Sequence, residues 1–166
     1  MSRLAVDKIV GANTESKIDI PGHVVQVQST MITGAITHDQ TTVKDITGLN
    51  VDIAPNSTSN KVLITVCIGA CGRDGNGDLV FNIVRDSTSI AIGDTGTYKA
   101  SFVIRASSEV SGGISFTVLD SPATTSTVNY KVTVQQTGSG NLKVGGRQPD
   151  TAFASPCTIT AQEIAA

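Results

Sequence analysis

The stretch Lys61 to Gly93, KVLITVCIGACGRDGNGDLVFNIVRDSTSIAIG, constrains the fold more than any other part of the chain. Val62, Ile64, Val66, Ile68 and Ala70 take every second position, between Leu63, Thr65, Cys67, Gly69 and Cys71. Side chains alternate across a strand with period 2, so the even set is expected to line one buried face. The patch Gly72-Arg73-Asp74-Gly75-Asn76-Gly77-Asp78 follows, with an Asp-Gly and an Asn-Gly step. Such steps supply the positive φ angles that hairpin turns need. Leu79, Phe81 and Ile83 alternate again, Asp86-Ser87 breaks the run, and Ser89-Ile90-Ala91-Ile92 resumes it. The reading is a long β-hairpin followed by a third strand, with the other elements covering it.

The rest of the chain repeats this pattern. His23-Val24-Val25-Gln26-Val27-Gln28 begins the β region, and part of a strand is expected within Thr30 to Thr42. Val43 to Ile53 reads as one or two short strands around Gly48, and Pro55-Asn56-Ser57 as a turn. Ala100, Phe102 and Ile104 alternate, as do Ile114, Phe116 and Val118. Val128, Tyr130, Val132 and Val134 form the cleanest amphipathic strand, and Ile159 and Ala161 share one face of a final strand, Cys157 to Ile164. Between them the loop Gly138-Ser139-Gly140 precedes Leu142-Lys143-Val144. That gives eight to ten strands and no helical period, hence an all-β, antiparallel sandwich, most simply a jelly roll. Residues 1–22 differ: Leu4, Val6, Ile9, Val10, Ile18 and Ile20 are sparse apolar points among charges. They read as an N-terminal arm that docks on something, and residues 23–166 as the sandwich domain.

Composition excludes several functions. Aromatic residues make up 4% and tryptophan is absent, which argues against stacking platforms for bases or sugars. The 12 basic residues are scattered under a net charge of −2, so a nucleic-acid partner is not expected. No apolar run reaches the roughly 20 residues that span a bilayer, and Asp7 and Lys8 interrupt any signal-peptide core. No membrane insertion is expected, and the chain reads as made in the cytoplasm. Cys67 and Cys71 should sit about 13 Å apart on one strand face, too far to bridge. With Cys157 they read as three small buried thiols.

No catalytic set emerges. Asp74-Gly75-Asn76-Gly77-Asp78 opens like a calcium loop, but Leu79 and Arg85 stand where the loop needs Gly and Glu. Gly138 to Gly146 lacks the phosphate-loop pattern. His23 and His38 have no nucleophile motif beside them. The acids Asp120, Asp150 and Glu163 lie at strand ends, and nothing in the sequence pairs them. The expectation is a non-enzyme without metal or cofactor.

The ordered phrases GHVVQVQST, TGLNVDIAPNSTSNKVLITVCIGA, FNIVRDSTSIAIGD, FTVLDSPATTSTVNYKVTVQ and TITAQEIAA resemble a β domain of bacteriophages, marine ones especially. The resemblance covers about residues 22 to 166, and VRDSTSIAIGD and LDSPATTSTVNYKV are its most specific parts. In such phages the domain ends tail fibres or other virion-surface proteins. The resemblance implies a jelly roll similar to the C1q and tumour-necrosis-factor type, assembled as a homotrimer, and it brings no active residues. Only about 22 residues precede the domain, which fits a spike, tail-tip or head-decoration protein better than a long fibre.

The function expected is therefore display on the virion surface as a trimeric knob. Leu4, Val6, Ile9 and Ile20 would dock on other virion proteins. The loops Arg73 to Asp78, Ser107 to Gly113 and Gly145 to Asp150, with Arg73, Asp74, Asn76 and Arg147 as their candidate contacts, would face a host glycan or protein. Apolar residues on a second strand face, Leu63, Val80, Val84 and Val103, would be covered by threefold packing. The alternatives are a polysaccharide-degrading virion enzyme and a cellular C1q-like binding module.

Overall fold

A computed structural model describes residues 20–38, 41–106, 112–148, 150 and 152–166. Among them there is no helix. Eleven strands run in chain order: β1 (Val24–Ile32), β2 (Ile36–His38), β3 (Lys44–Ile53), β4 (Lys61–Arg73), β5 (Gly77–Arg85), β6 (Thr88–Ile90), β7 (Phe102–Ala106), β8 (Gly112–Asp120), β9 (Val128–Gln136), β10 (Leu142–Val144) and β11 (Cys157–Ile164). All strand pairs are antiparallel.

The strands form two facing sheets. In the first, β11 pairs β4 over Lys61–Ile68 on one edge and β8 holds the other. Beyond a bulge, β10 continues the β11 lane along Cys71–Arg73, as β2 continues β1. This sheet therefore has four lanes, β1/β2, β11/β10, β4 and β8. The second has lanes β3, β9 and β5, with β6 and β7 sharing the last edge. The chain crosses between sheets at most connections, so the architecture is a jelly-roll sandwich.

The core is the inward set of both sheets. Val62, Ile64, Val66, Ile68, Ile159 and Ala161 of the first sheet face Val51, Ile53, Leu79, Phe81, Ile83, Val128, Val132 and Val134 of the second. Phe81 stacks on Phe102 with ring centres 4.9 Å apart, and Phe102 lies 5.5 Å from Phe116. The stack closes the β7–β8 side with ring contacts whose gain goes beyond area burial. Cys157–Ile164 and Val128–Gln136 form strands with the expected inward faces.

Three expectations are corrected. The alternating runs Lys61–Arg73 and Gly77–Arg85 do not form a hairpin: β4 and β5 lie in opposite sheets, and Asp74–Asn76 is a crossover between them. Turn-forming residues dictate a change of direction, not the sheet in which the next strand lands. The hairpin is instead β5–β6, where Arg85 pairs Thr88 and Asp86 takes φ 53°.

The face expected to contain Ala70 ends at Ile68, because a bulge separates Ile68 from Cys71. Its cause is local: a Cβ on Gly69 would stand 2.5 Å from the Pro156 carbonyl oxygen, so only glycine allows that approach. The extra residue reverses parity. Cys71 points inward while Cys67 is exposed, so the two are not on one face and only Cys71 and Cys157 are buried.

Val80 and Val84 are buried within the single chain, as the central strand β5 is flanked on both edges. They need no partner to remove them from water. Val103 remains half exposed.

Candidate interaction surface

The two ends of the sandwich differ. At the end where β1 begins, Gln26, Glu163, Val62 and Asp120 form one row across the first sheet. Glu163 is fully buried, and its carboxylate accepts from Gln26 Nε2 (2.7 Å), the Asn56 backbone N–H (2.6 Å) and Asn60 Nδ2 (2.6 Å). This carboxylate thus fixes the turn between β3 and β4. Asp120 accepts from Arg85 Nη1 (2.9 Å) and from the Tyr130 phenol (2.7 Å). Both acids spend their oxygens on structural donors, which is the condition for keeping a carboxylate out of water.

The opposite end brings Arg73 to Asp78 together with the described parts of the other two stretches singled out from sequence, residues 112–113 and 145–148, because Cys71 pairs both Gly112 and Val144. Arg73, expected as an exposed recognition residue, is only 3% exposed and is corrected to a structural role. Its guanidinium donates to the carbonyls of Thr137 and Ser139 (2.9 Å to the latter) and its Nε to that of Asp74. It passes directly over Gly77, where a Cβ would collide with Nη1, so glycine is required there. Asp74 is half-buried and accepts from the Asn141 backbone N–H, while Asn76 is exposed. Arg147 lies 4.4 Å above the exposed ring of Phe153 and pairs with Asp150 at 2.6 Å. That bond holds the Asp150 carboxyl below the usual carboxylate range and raises the guanidinium above its own. Ile20 is exposed beside the start of β1; Leu4, Val6, Ile9 and Ser107–Ser111 lie outside the described residues. Among the described residues no group of three His, Cys, Asp or Glu side chains is placed to hold a metal ion.

One surface feature of the first sheet was touched only in part by sequence reasoning. On the outer face of the first sheet, register aligns three rows across four lanes. These are Val27–Gln162–Leu63–Leu119, Ser29–Thr160–Thr65–Thr117 and Met31–Thr158–Cys67–Ser115. None of the twelve is charged, in a chain with 12 basic and 14 acidic residues. Val27, Met31 and Leu119 are 50%, 60% and 56% exposed. The hydroxyls are paired sideways, Ser29 with Thr160 at 2.8 Å and Thr65 with Thr117 at 3.3 Å. A hydroxyl already paired to a neighbour loses less on leaving water than a free one.

The outer face of the second sheet is the reverse. It carries Asp45, Asp52, Lys131, Gln135, Asp78 and Arg105, with ion pairs Lys131–Asp45 (2.8 Å) and Arg105–Asp78 (3.2 Å). Charge is thus kept out of these three rows of the first sheet, with Lys61 one row beyond them, and is concentrated on the outer face of the second. Leu63 was legible as outward and apolar, but the absence of charge from all three rows follows from register between distant strands.

No family model and no curated protein matches the chain. Among solved structures, a chain in the structure of the Gx strain of infectious bursal disease virus is similar at 16% identity with a TM-score of 0.38. The match covers 100% of this chain and 43% of that one, so this chain spans less than half its length.

Proposed function

We propose that this chain is a bacteriophage virion structural protein, displayed on the particle surface as a homotrimeric knob, and that it works by binding rather than catalysis. The observation that carries the reading is the uncharged outer face of the first sheet. At strand spacings of about 4.8 Å and row spacings of about 6.6 Å, its twelve residues cover about 400 Å². That is half of what one partner gives to an interface of standard size, enough for its centre with a rim added. The face has the depletion of charge that marks the core of such contacts. Three copies turned towards one axis bring their uncharged faces together there, whereas a charged partner would lose its hydration without gaining an ion pair. Closure into a ring of three is the assembly that the phage-domain resemblance implies.

The polarity of the molecule supports the same reading. The chain enters at the Glu163–Asp120 end, and Asp74, Asn76 and Arg147 lie at the far end. An arm on the particle would leave those loops pointing outward. In this reading Leu4, Val6, Ile9 and Ile20 dock on the virion, by tail or head.

Sedimentation of the purified chain tests it. The expected mass is three times the 17.1 kDa subunit, stable to micromolar dilution. Thr65→Lys, which places a charge at the centre of the face, and Leu119→Glu, which places one at its β8 corner, should yield monomers. Val103→Lys, on the opposite face, should leave the trimer intact. A wild-type monomer overturns the reading; a dimer keeps the face as the contact but removes the threefold knob.

A further inference from the structure

We propose that a hollow on the outer face of the second sheet, built around a bulge in β3, binds one sugar residue of a polysaccharide. The pairing of β3 with β9 jumps from Asp45–Thr133 to Asn50–Lys131. β3 therefore carries three residues more than its partner over this interval. Ile46 and Leu49 anchor the bulge in the core, and Thr47 and Gly48 form an exposed lip. Gly48 holds φ 78°, which strains any residue with a side chain, so the lip is fixed by sequence.

The result is a hollow of about 280 Å³ lined by Asp45, Ile46, Thr47, Gly48, Asn50 and Lys131. Sites for drug-sized ligands span about 300–1,000 Å³, so this one admits a single ring-sized unit. Its chemistry is specific in kind. Asp45 Oδ2 accepts from Lys131 Nζ at 2.8 Å, leaving the second carboxylate oxygen and the remaining ammonium protons free. Among the described residues, the Thr47 hydroxyl and the Asn50 carboxamide have no side-chain partner. The lining thus offers both donors and acceptors in a site whose formal charges cancel. Adjacent hydroxyls of a sugar both donate and accept, and they match such a ring of groups. A phosphate or carboxylate would meet the Asp45 carboxylate, and an apolar ligand would leave these polar groups unpaired.

The inference rests on the surface-display reading in one respect: burial of the first sheet's outer face leaves this opposite face in solvent. With no aromatic floor the single-site affinity should be millimolar, and three copies in one knob would raise the avidity for a repeating polysaccharide.

Amide NMR of the full-length ¹⁵N-labelled protein tests it, with methyl glucoside, methyl galactoside and N-acetylglucosamine as probes and inorganic phosphate as the anionic control. The expected result is saturable, millimolar shifts at residues 45–50 and Lys131 for at least one sugar. The double variant Thr47→Val/Asn50→Ala should weaken it at least tenfold with the melting temperature unchanged, as both side chains are exposed. No saturable shift with any sugar, shifts with phosphate alone, or shifts that survive the double variant overturn the site. Binding by the Leu119→Glu variant separates the two proposals. A trimer without sugar binding removes the site and keeps the assembly, and a monomer that binds does the opposite.

Discussion

The Tyr130 phenol donates to Asp120 Oδ2 at 2.7 Å, and that bond ties the second sheet to the first at the end where the chain enters. Arg85 reaches the same carboxylate from β5 at 2.9 Å, so β5, β8 and β9 meet at one acid. Burial, and then the bond to Asp120, push the Tyr130 phenol well above the ordinary tyrosine range. The neutral phenol is the form the fold holds.

Tyr130→Phe should lower stability by about 1.5–3 kcal/mol, since a donor to a charged acceptor is lost while the ring packing remains. Urea unfolding should show a lower midpoint with an unchanged slope. The pH dependence has a definite sign. Above the unfolded tyrosine value, about 10, the unfolded chain releases the phenol proton and the folded chain keeps it. Wild-type stability therefore falls as pH rises from there, and in the Phe variant that part of the fall is absent.

Glu163→Gln should also be costly, although the shapes match. Glu163 Oε1 serves Asn56 and Asn60, and Oε2 serves Gln26. A carboxamide keeps one acceptor and presents its NH₂ to the Gln26 amide. Gln26 cannot simply flip, because its Nε2 also donates to the Ala54 carbonyl at 2.7 Å. The orphaned donors should cost about 1–3 kcal/mol, and Glu163→Ala more, since all three donors lose their acceptor. Chemical denaturation of both variants gives the comparison.

Much of the fold was legible because period-2 alternation is a local property. Val128–Gln136 and Cys157–Ile164 could be read strand by strand, with their buried faces. What failed was non-local. Asp74–Asn76 signalled a turn, yet whether β5 returned to the same sheet depended on β9 and β11 competing for the edges of β5 and β4. Arg73 looked like a loop-tip cation because its acceptors, the carbonyls of Thr137 and Ser139, lie more than sixty positions away. The sugar-sized hollow was invisible for the same reason, as only register brings Lys131 to Asp45 and Asn50.

At the far end, the Arg147 bond should govern how Asp150 titrates. It holds the carboxyl below its ordinary 3.8, with help from the Ala152 backbone N–H. A depressed folded value means the contact contributes fully above the unfolded value and is lost as pH falls through the folded one, a window below about pH 4. Arg147→Ala should return the Asp150 carboxyl towards its ordinary value, read by ¹³C NMR of the side chain. It also removes the guanidinium stacked on Phe153, whose amide should shift in the same variant.

The three thiols give a chemical readout of both the core and the proposed contact. Burial, and then the neighbouring Cys157, push the Cys71 thiol up to about 12, so near neutral pH almost none of it is thiolate. Burial likewise raises Cys157, while backbone N–H groups of Gly69 and Ala70 oppose the rise. Since the thiolate is the reacting form, both should resist a disulfide reagent until the chain unfolds. Cys67 is exposed on the subunit and lies in the row Met31–Thr158–Cys67–Ser115 of the uncharged face. In the Leu119→Glu variant one thiol should react promptly under native conditions, and three in denaturant. In the wild-type assembly Cys67 should be slowed at least tenfold, and the protection should fade on dilution below the dissociation constant. Equal labelling of Cys67 in wild type and variant would mean that nothing covers this face, and prompt reaction of all three would contradict the burial of Cys71 and Cys157.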